Sequence, residues 1–269
     1  MKSQNVLRAE IALNLQHNIV GVKFLYFEQD YLENKISLPE KKGPFCYHVR
    51  NAMDGLHYKL KECDVTCDYA RYAIGLSKAD DTIIQGRSYE HSGLYGSKSV
   101  AHDIMNAMKY LEHTIYGLEI GPLNEMDDAD IVIIADYAET IMRIMQSYAY
   151  KYGAPRNLSF YGNQAMCSDM ISKTFTNNDI NISLMCKGTR KSGRFDKGEI
   201  SVSFPIYMFD DIVEGIISTI NPVHTPVDKR RIMDCMKEEN ILGIEIDQSY
   251  NYGMGLVEYD TKVKEYRGE

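Results

Sequence analysis

The sequence has no tryptophan, and its six cysteines are sparse for 269 residues. That is far below the density of a small disulfide-stapled secreted domain. No two cysteines form a C-x-x-C pair, which argues against a zinc ribbon or a thioredoxin-like motif. Long apolar runs are missing too. The longest, Ile131-Val132-Ile133-Ile134-Ala135, has the length of a buried strand and falls well short of the roughly 18 apolar residues of a membrane span. The first helical stretch mixes Arg8, Glu10, Asn14 and Gln16 with apolar residues, so the uninterrupted apolar core of a signal peptide is absent. A cytoplasmic protein with reduced thiols and no membrane contact is the expectation. Basic residues are in deficit, 30 against 38 acidic for a net charge of -8. That argues against nucleic-acid binding, which needs a cationic surface to displace counterions.

What is present is ordinary globular composition, 44% hydrophobic and 25% charged. The 20 tyrosines supply amphipathic surface compatible with a homodimer. Periodicity predicts helices over residues 5–16, 47–60, 68–77, 99–111, 136–152 and 164–173, with a further helix from Pro205 to about 219. Strands are predicted over 19–26, 114–123, 130–135, 158–161, 181–186 and 199–204. Residues 28–44 read as a surface loop, and 78–97 as a long polar loop or lid. The alternation predicts an α/β or α+β class, a mixed sheet layered with helices. The expected organisation is one domain over 1–220, with any subdomain boundary near 124–129. The Pro-containing linker 221–226 then leads to a C-terminal extension, 221–269, holding a charged helix and a hairpin around Tyr252-Gly253.

Chemistry starts with the thiols. Cys67 stands at a predicted helix start and Cys167 in the first turn of another, where the positive dipole end favours thiolate. Cys186 closes a strand just before Lys187–Gly198, a segment with five cations and three glycines. Strand ends and helix starts share a sheet edge, where dispersed cysteines can meet, and thiolates ligate iron–sulfur clusters or zinc. The reading that any one of them is an inert core residue stands beside this, because free cysteine buries like a small hydrophobe. Cys235 has no supporting context. In the basic segment, Lys187, Gly188, Thr189, Arg190 and Arg194 could hold a phosphate or carboxylate, although P-loop and dinucleotide spacings are missing. His48, two residues from Cys46, is the candidate catalytic proton shuttle.

Taken in order, these residues resemble a family. Pro44-Phe45-Cys46, Thr66-Cys67-Asp68-Tyr69-Ala70 with Gly75-Leu76, Ala129-Asp130-Ile131-Val132, Ala149-Tyr150 with Gly153, Cys167, and Cys186-Lys187-Gly188-Thr189-Arg190 with Glu199 and Pro205 are similar to the domain of unknown function 169 of bacteria and archaea. The resemblance spans about 5–220 and brings no activity with it. It implies which cysteines to select: Cys46, Cys67, Cys167 and Cys186, but not Cys63 or Cys235. One departure is Asp68-Tyr69-Ala70 where the family often carries a Pro-Gly-Gly-Ala-like run, which reshapes any pocket there.

The leading expectation is therefore that Cys46, Cys67, Cys167 and Cys186 converge on an iron–sulfur cluster of [4Fe–4S] type, with zinc as the alternative metal. The basic segment would border a pocket for a small anionic molecule, or a redox partner would dock there. Two other classes stay open: an enzyme with Cys67 or Cys167 as nucleophile and His48 as base, and a binding protein for an anionic metabolite or cofactor.

Overall fold

Alternate residues of β1 (Val20–Leu25) are bulky and apolar, which in a pleated strand places them on one face. In the computed structural model Val20, Val22 and Phe24 duly share one buried cluster with Leu118 and Ile120 of β3 (Gly117–Pro122) and Ile131 and Ile133 of β4 (Ile131–Tyr137). The structure describes residues 2–78, 80–90, 93–111, 114–162, 165–241 and 244–247. β2 (Tyr58–Lys61), β5 (Asn181–Ser183) and β6 (Glu199–Pro205) complete a six-stranded sheet of order β2-β3-β1-β4-β6-β5. Every pairing within it is antiparallel. Of the two layered classes the sequence allows, the fold is therefore α+β.

Before β1 comes α1 (Lys2–Leu13), and between the strands that follow lie α2 (Glu28–Glu33), α3 (Phe45–Met53), α4 (Asp68–Ala73), α5 (Asp81–Ile84), α6 (Arg87–Glu90) and α7 (Lys98–Ala107). The second half adds α8 (Ala138–Tyr152), α9 (Lys173–Asn177), α10 (Lys187–Gly193), α11 (Phe209–Ser218), α12 (Ile220–Val223) and α13 (Pro226–Glu238). The chain forms two compact units. One comprises Gln16–Ile141 and Ala154–Phe209 and contains the sheet. The other comprises the described residues of Met1–Leu15, Met142–Gly153 and Asp210–Glu269. This second unit is helical. In it Gly215 lets α11 approach α8 so closely that an added Cβ would lie 2.5 Å from the Ser147 carbonyl oxygen. The Arg143 guanidinium bonds Thr219 Oγ1 at 2.9 Å, and Arg231 bonds the Ile11 carbonyl at 3.1 Å.

Several boundaries differ from the sequence reading, each for a local reason. The helix expected to reach residue 60 stops at Met53, because Gly55 takes φ +97 and Tyr58–Lys61 pairs with β3 instead. Residues 158–161 form no strand, and Phe160 is exposed. The helix expected from 164 runs as a π-helical turn over Cys167–Ser172 before α9. The glycine-rich connection is mostly α10, and Arg194 closes it in the left-handed region at φ 55. The loop at 78–97 carries α5 and α6, and residues 221–226 are α12 plus the Thr225 cap of α13. The hairpin expected near Tyr252-Gly253 lies outside the described residues.

Helices cover the sheet face that carries the apolar cluster. Phe45, Val49, Ala52 and Met53 of α3 and Ala70 and Ala73 of α4 pack into it, with Met170 and Ile171 of the π-helical turn. α10 lies against α3 through Gly193, where a Cβ would meet the Phe195 ring at 2.3 Å and the Cys46 carbonyl oxygen at 2.9 Å. Gly193→Ala should therefore push α10 off α3 and destabilise the protein by about 1–3 kcal/mol, read as a lower urea midpoint; an unchanged midpoint contradicts this packing account.

Candidate functional site

Four helical starts meet in the sheet-containing unit, and each brings a cysteine. Cys46 is the second residue of α3, Cys67 caps α4, Cys167 opens the π-helical turn, and Cys186 caps α10. The first N–H groups of a helix lack intrahelical partners, so these positions offer donors to sulfur. The Cys186 Sγ accepts from the Thr189 N–H at 3.3 Å and lies 3.3 Å from the Thr189 Oγ1. The N–H groups of Ala70 and Tyr69 pull the Cys67 pKa down and that of Tyr47 the Cys46 pKa, although the Cys67 side chain makes no capping hydrogen bond.

All four cysteines line one cavity of about 420 Å³. Its other walls include Pro44, Phe45, Tyr69, Tyr89, Ala165, Gly188 and Thr189. A volume of this order is ordinary for a small-molecule or cofactor site. The sulfurs feel one another. Burial, then the charge of Cys186, pushes the Cys46 thiol up to about 11, against the pull of the Thr189 hydroxyl. Burial raises Cys67 as well, with Cys186 and Asp68 adding to it. Cys167 is raised well above the ordinary thiol range by burial and then by Cys67, Cys186 and Cys46. Left to themselves, these groups stay protonated thiols at neutral pH.

The remaining cysteines fall elsewhere. Cys63 is exposed and borders a separate depression with Lys61, Arg71 and Tyr116. Cys235 sits on α13, in the helical unit. Among the described residues, no three or more His, Cys, Asp or Glu side chains are gathered closely enough to hold a metal ion.

Of the basic segment, Gly188 and Thr189 line the cavity, whereas Lys187, Arg190 and Arg194 are not among its wall residues. The Arg190 guanidinium is engaged by the carbonyls of Leu184, Asp196 and Glu199. Arg194 pairs with Asp54 at 3.2 Å. His48 is 0% exposed. Its Nδ1 meets the Tyr58 hydroxyl at 3.0 Å and its Nε2 the Gly43 and Asp64 carbonyls at 3.2 Å. Burial lowers its pKa, so His48 is a neutral brace under α3 and does not reach the cavity.

The family model DUF169, described as "Uncharacterised ArCR", matches residues 10–215. The chain belongs to the DUF169 family. A curated relative, the uncharacterized protein MJ0308 of Methanocaldococcus jannaschii, is 28% identical over 218 residues, 79% of this chain and 92% of its own length. No solved structure matches. The DUF169 span contains all four cavity cysteines and ends before Cys235. Among the described residues, no helix is long and apolar enough to cross a membrane.

Sequence reasoning missed how the DUF169 cavity is held in shape. Met185 adopts φ 61, a rare conformation for a non-glycine residue that aims the chain from β5 into Cys186. The Ser183 Oγ accepts from the Met185 N–H at 3.2 Å and donates to the Asp169 Oδ2 at 2.6 Å. Asp169 belongs to the turn opened by Cys167, so one serine ties the Cys167 segment to the Cys186 segment. Burial pushes Asp169 up to about 7 against the pull of Ser183 and Lys173. No spacing rule signals such a link, although a serine at the end of a buried strand is a polar group in need of a partner. Ser183→Ala strands a buried carboxyl and should cost about 1–3 kcal/mol in chemical denaturation; a loss below about 0.5 kcal/mol, the scale of ordinary surface changes, contradicts the link.

Proposed function

We propose that this DUF169 protein is a cytoplasmic iron–sulfur protein in which Cys46, Cys67, Cys167 and Cys186 hold one [4Fe–4S] cluster. The observation that carries this reading is that four cysteines from four separate chain segments line one cavity, where burial and then neighbouring sulfurs raise the thiols of Cys46, Cys67 and Cys167. Thiols ionised side by side in a dry wall repel, and a cationic iron centre turns that repulsion into attraction. The wall fits such a group in two further ways. The Thr189 N–H at the start of α10 donates to the Cys186 sulfur, a kind of contact by which proteins tune cluster potential. No charged side chain is among the cavity-lining residues described.

A single zinc ion fits less well. It draws its ligand sulfurs to about 2.3 Å from one point, and the described residues show no such gathering. A four-iron cluster sets each thiolate on a different iron, so its ligands stand farther apart. A cysteine nucleophile is disfavoured by the raised Cys67 and Cys167 thiols, because nucleophilic cysteines need a lowered pKa.

Bound there, the cluster supplies one-electron chemistry, or Lewis-acid chemistry at an iron left open by a thiolate. The chain's own residues bind and shield. Phe45, Tyr69 and Tyr89 exclude water from the sulfurs. Gly188, exposed at the cavity wall, keeps the start of α10 open to a small anionic molecule.

Anaerobic purification followed by iron and acid-labile sulfide analysis is the test. The expected protein is brown, with about four irons and four sulfides per chain. Alanine at Cys46, Cys67, Cys167 or Cys186 should bleach it and loosen the fold, since metal binding is coupled to folding, while Cys63→Ala and Cys235→Ala should stay brown. A colourless protein without iron, or colour indifferent to the four cysteines, overturns the reading; a colourless protein containing zinc replaces it with the zinc site.

A further inference from the structure

Thr189 lines the cavity beside the cysteines and touches the Cys186 sulfur through both its backbone and its side chain. Its backbone N–H donates to the Cys186 Sγ at 3.3 Å, and its hydroxyl lies 3.3 Å from the same sulfur. The same side chain also pulls the Cys46 thiol pKa down against the effect of burial, and both residues line the cavity. Cys46 comes from α3 and Cys186 from α10, so one side chain acts on two cysteines contributed by segments 140 residues apart. The residue is 4% exposed, which keeps water from substituting for its hydroxyl. A cluster-bound thiolate carries no proton, so the hydroxyl must be the donor in any contact it makes with either sulfur. With Cys186 already served by the backbone N–H, the hydroxyl proton is available to Cys46.

We infer that Thr189 is a positioning residue that sets the reduction potential of the cluster through a hydroxyl hydrogen bond to its cysteine sulfurs. The inference rests on the iron–sulfur reading above and goes beyond it, because ligand identity alone does not fix a potential. A one-electron reduction, driven by a soluble low-potential donor that is itself oxidised, makes and breaks no bond at the cysteines. It adds negative charge to the iron–sulfur unit, and a hydroxyl proton facing the sulfurs stabilises that added charge. Thr189 therefore holds the potential higher than the apolar wall alone would set it.

The experiment compares midpoint potentials of the anaerobically purified, iron-loaded full chain, titrated with dithionite and mediator dyes, for wild type, Thr189→Val and Thr189→Ser. Valine keeps the shape and the backbone N–H, so the hydroxyl alone is removed. The expected result is equal iron and sulfide in all three, a midpoint shifted to more negative potential in Thr189→Val, and return toward the wild-type value in Thr189→Ser. Equal midpoints for wild type and Thr189→Val at equal iron overturn the role of Thr189 and leave the cluster standing. Wild-type protein without iron and sulfide overturns both. Should Thr189→Val fail to load, Thr189→Ala joins the set. Loading by Thr189→Ser but not by Thr189→Ala then supports the hydroxyl, and failure of all three variants shows a demand for threonine's shape and overturns the inference.

Discussion

The gathering of four cysteines on the wall of one cavity is the constraint on which the functional reading depends. A cysteine in an apolar wall is inert and costs nothing while protonated. Several cysteines facing one cavity are another matter, because burial raises the Cys46 and Cys167 thiols first and the neighbouring sulfurs raise them further. Such a wall is poorly suited to nucleophilic catalysis and well suited to a centre that brings its own positive charge. The N–H groups of Tyr47, Tyr69, Ala70 and Thr189 partly offset the repulsion, and they are in place because each cysteine begins a helical segment.

The fold makes that meeting possible. α3 from the segment after β1, α4 from the segment after β2 and the π-helical turn share the sheet's apolar cluster, and Cys186, following β5, packs against it. Close approach of α10 to α3 at Gly193 and the Asp169–Ser183–Met185 link then fix where Cys186 stands. A π-helical turn is itself a strained feature found frequently at functional sites, and here it starts at a cavity cysteine.

Much of this was legible in the chain. β-Branched and apolar runs bounded by turn residues placed β1, β3, β4 and β6, and the family resemblance separated Cys46, Cys67, Cys167 and Cys186 from Cys63 and Cys235, which are not among the cavity's wall residues. The misreadings share a cause: local pattern is blind to partners. Leu60 sits at helical spacing from Val49 and Met53 yet pairs across to Leu118. Arg190 looks like a ligand-binding cation and is held by three backbone carbonyls. His48 looks like a base and is locked on both nitrogens. Tyr89 reaches the cavity from a short helix in a segment that reads as loop.

Iron K-edge X-ray absorption on anaerobically prepared protein addresses the central claim most directly, because it reports the neighbours of the metal itself. The account predicts a first shell of sulfur and a second shell of iron. A first shell of oxygen and nitrogen with no iron neighbour would contradict it.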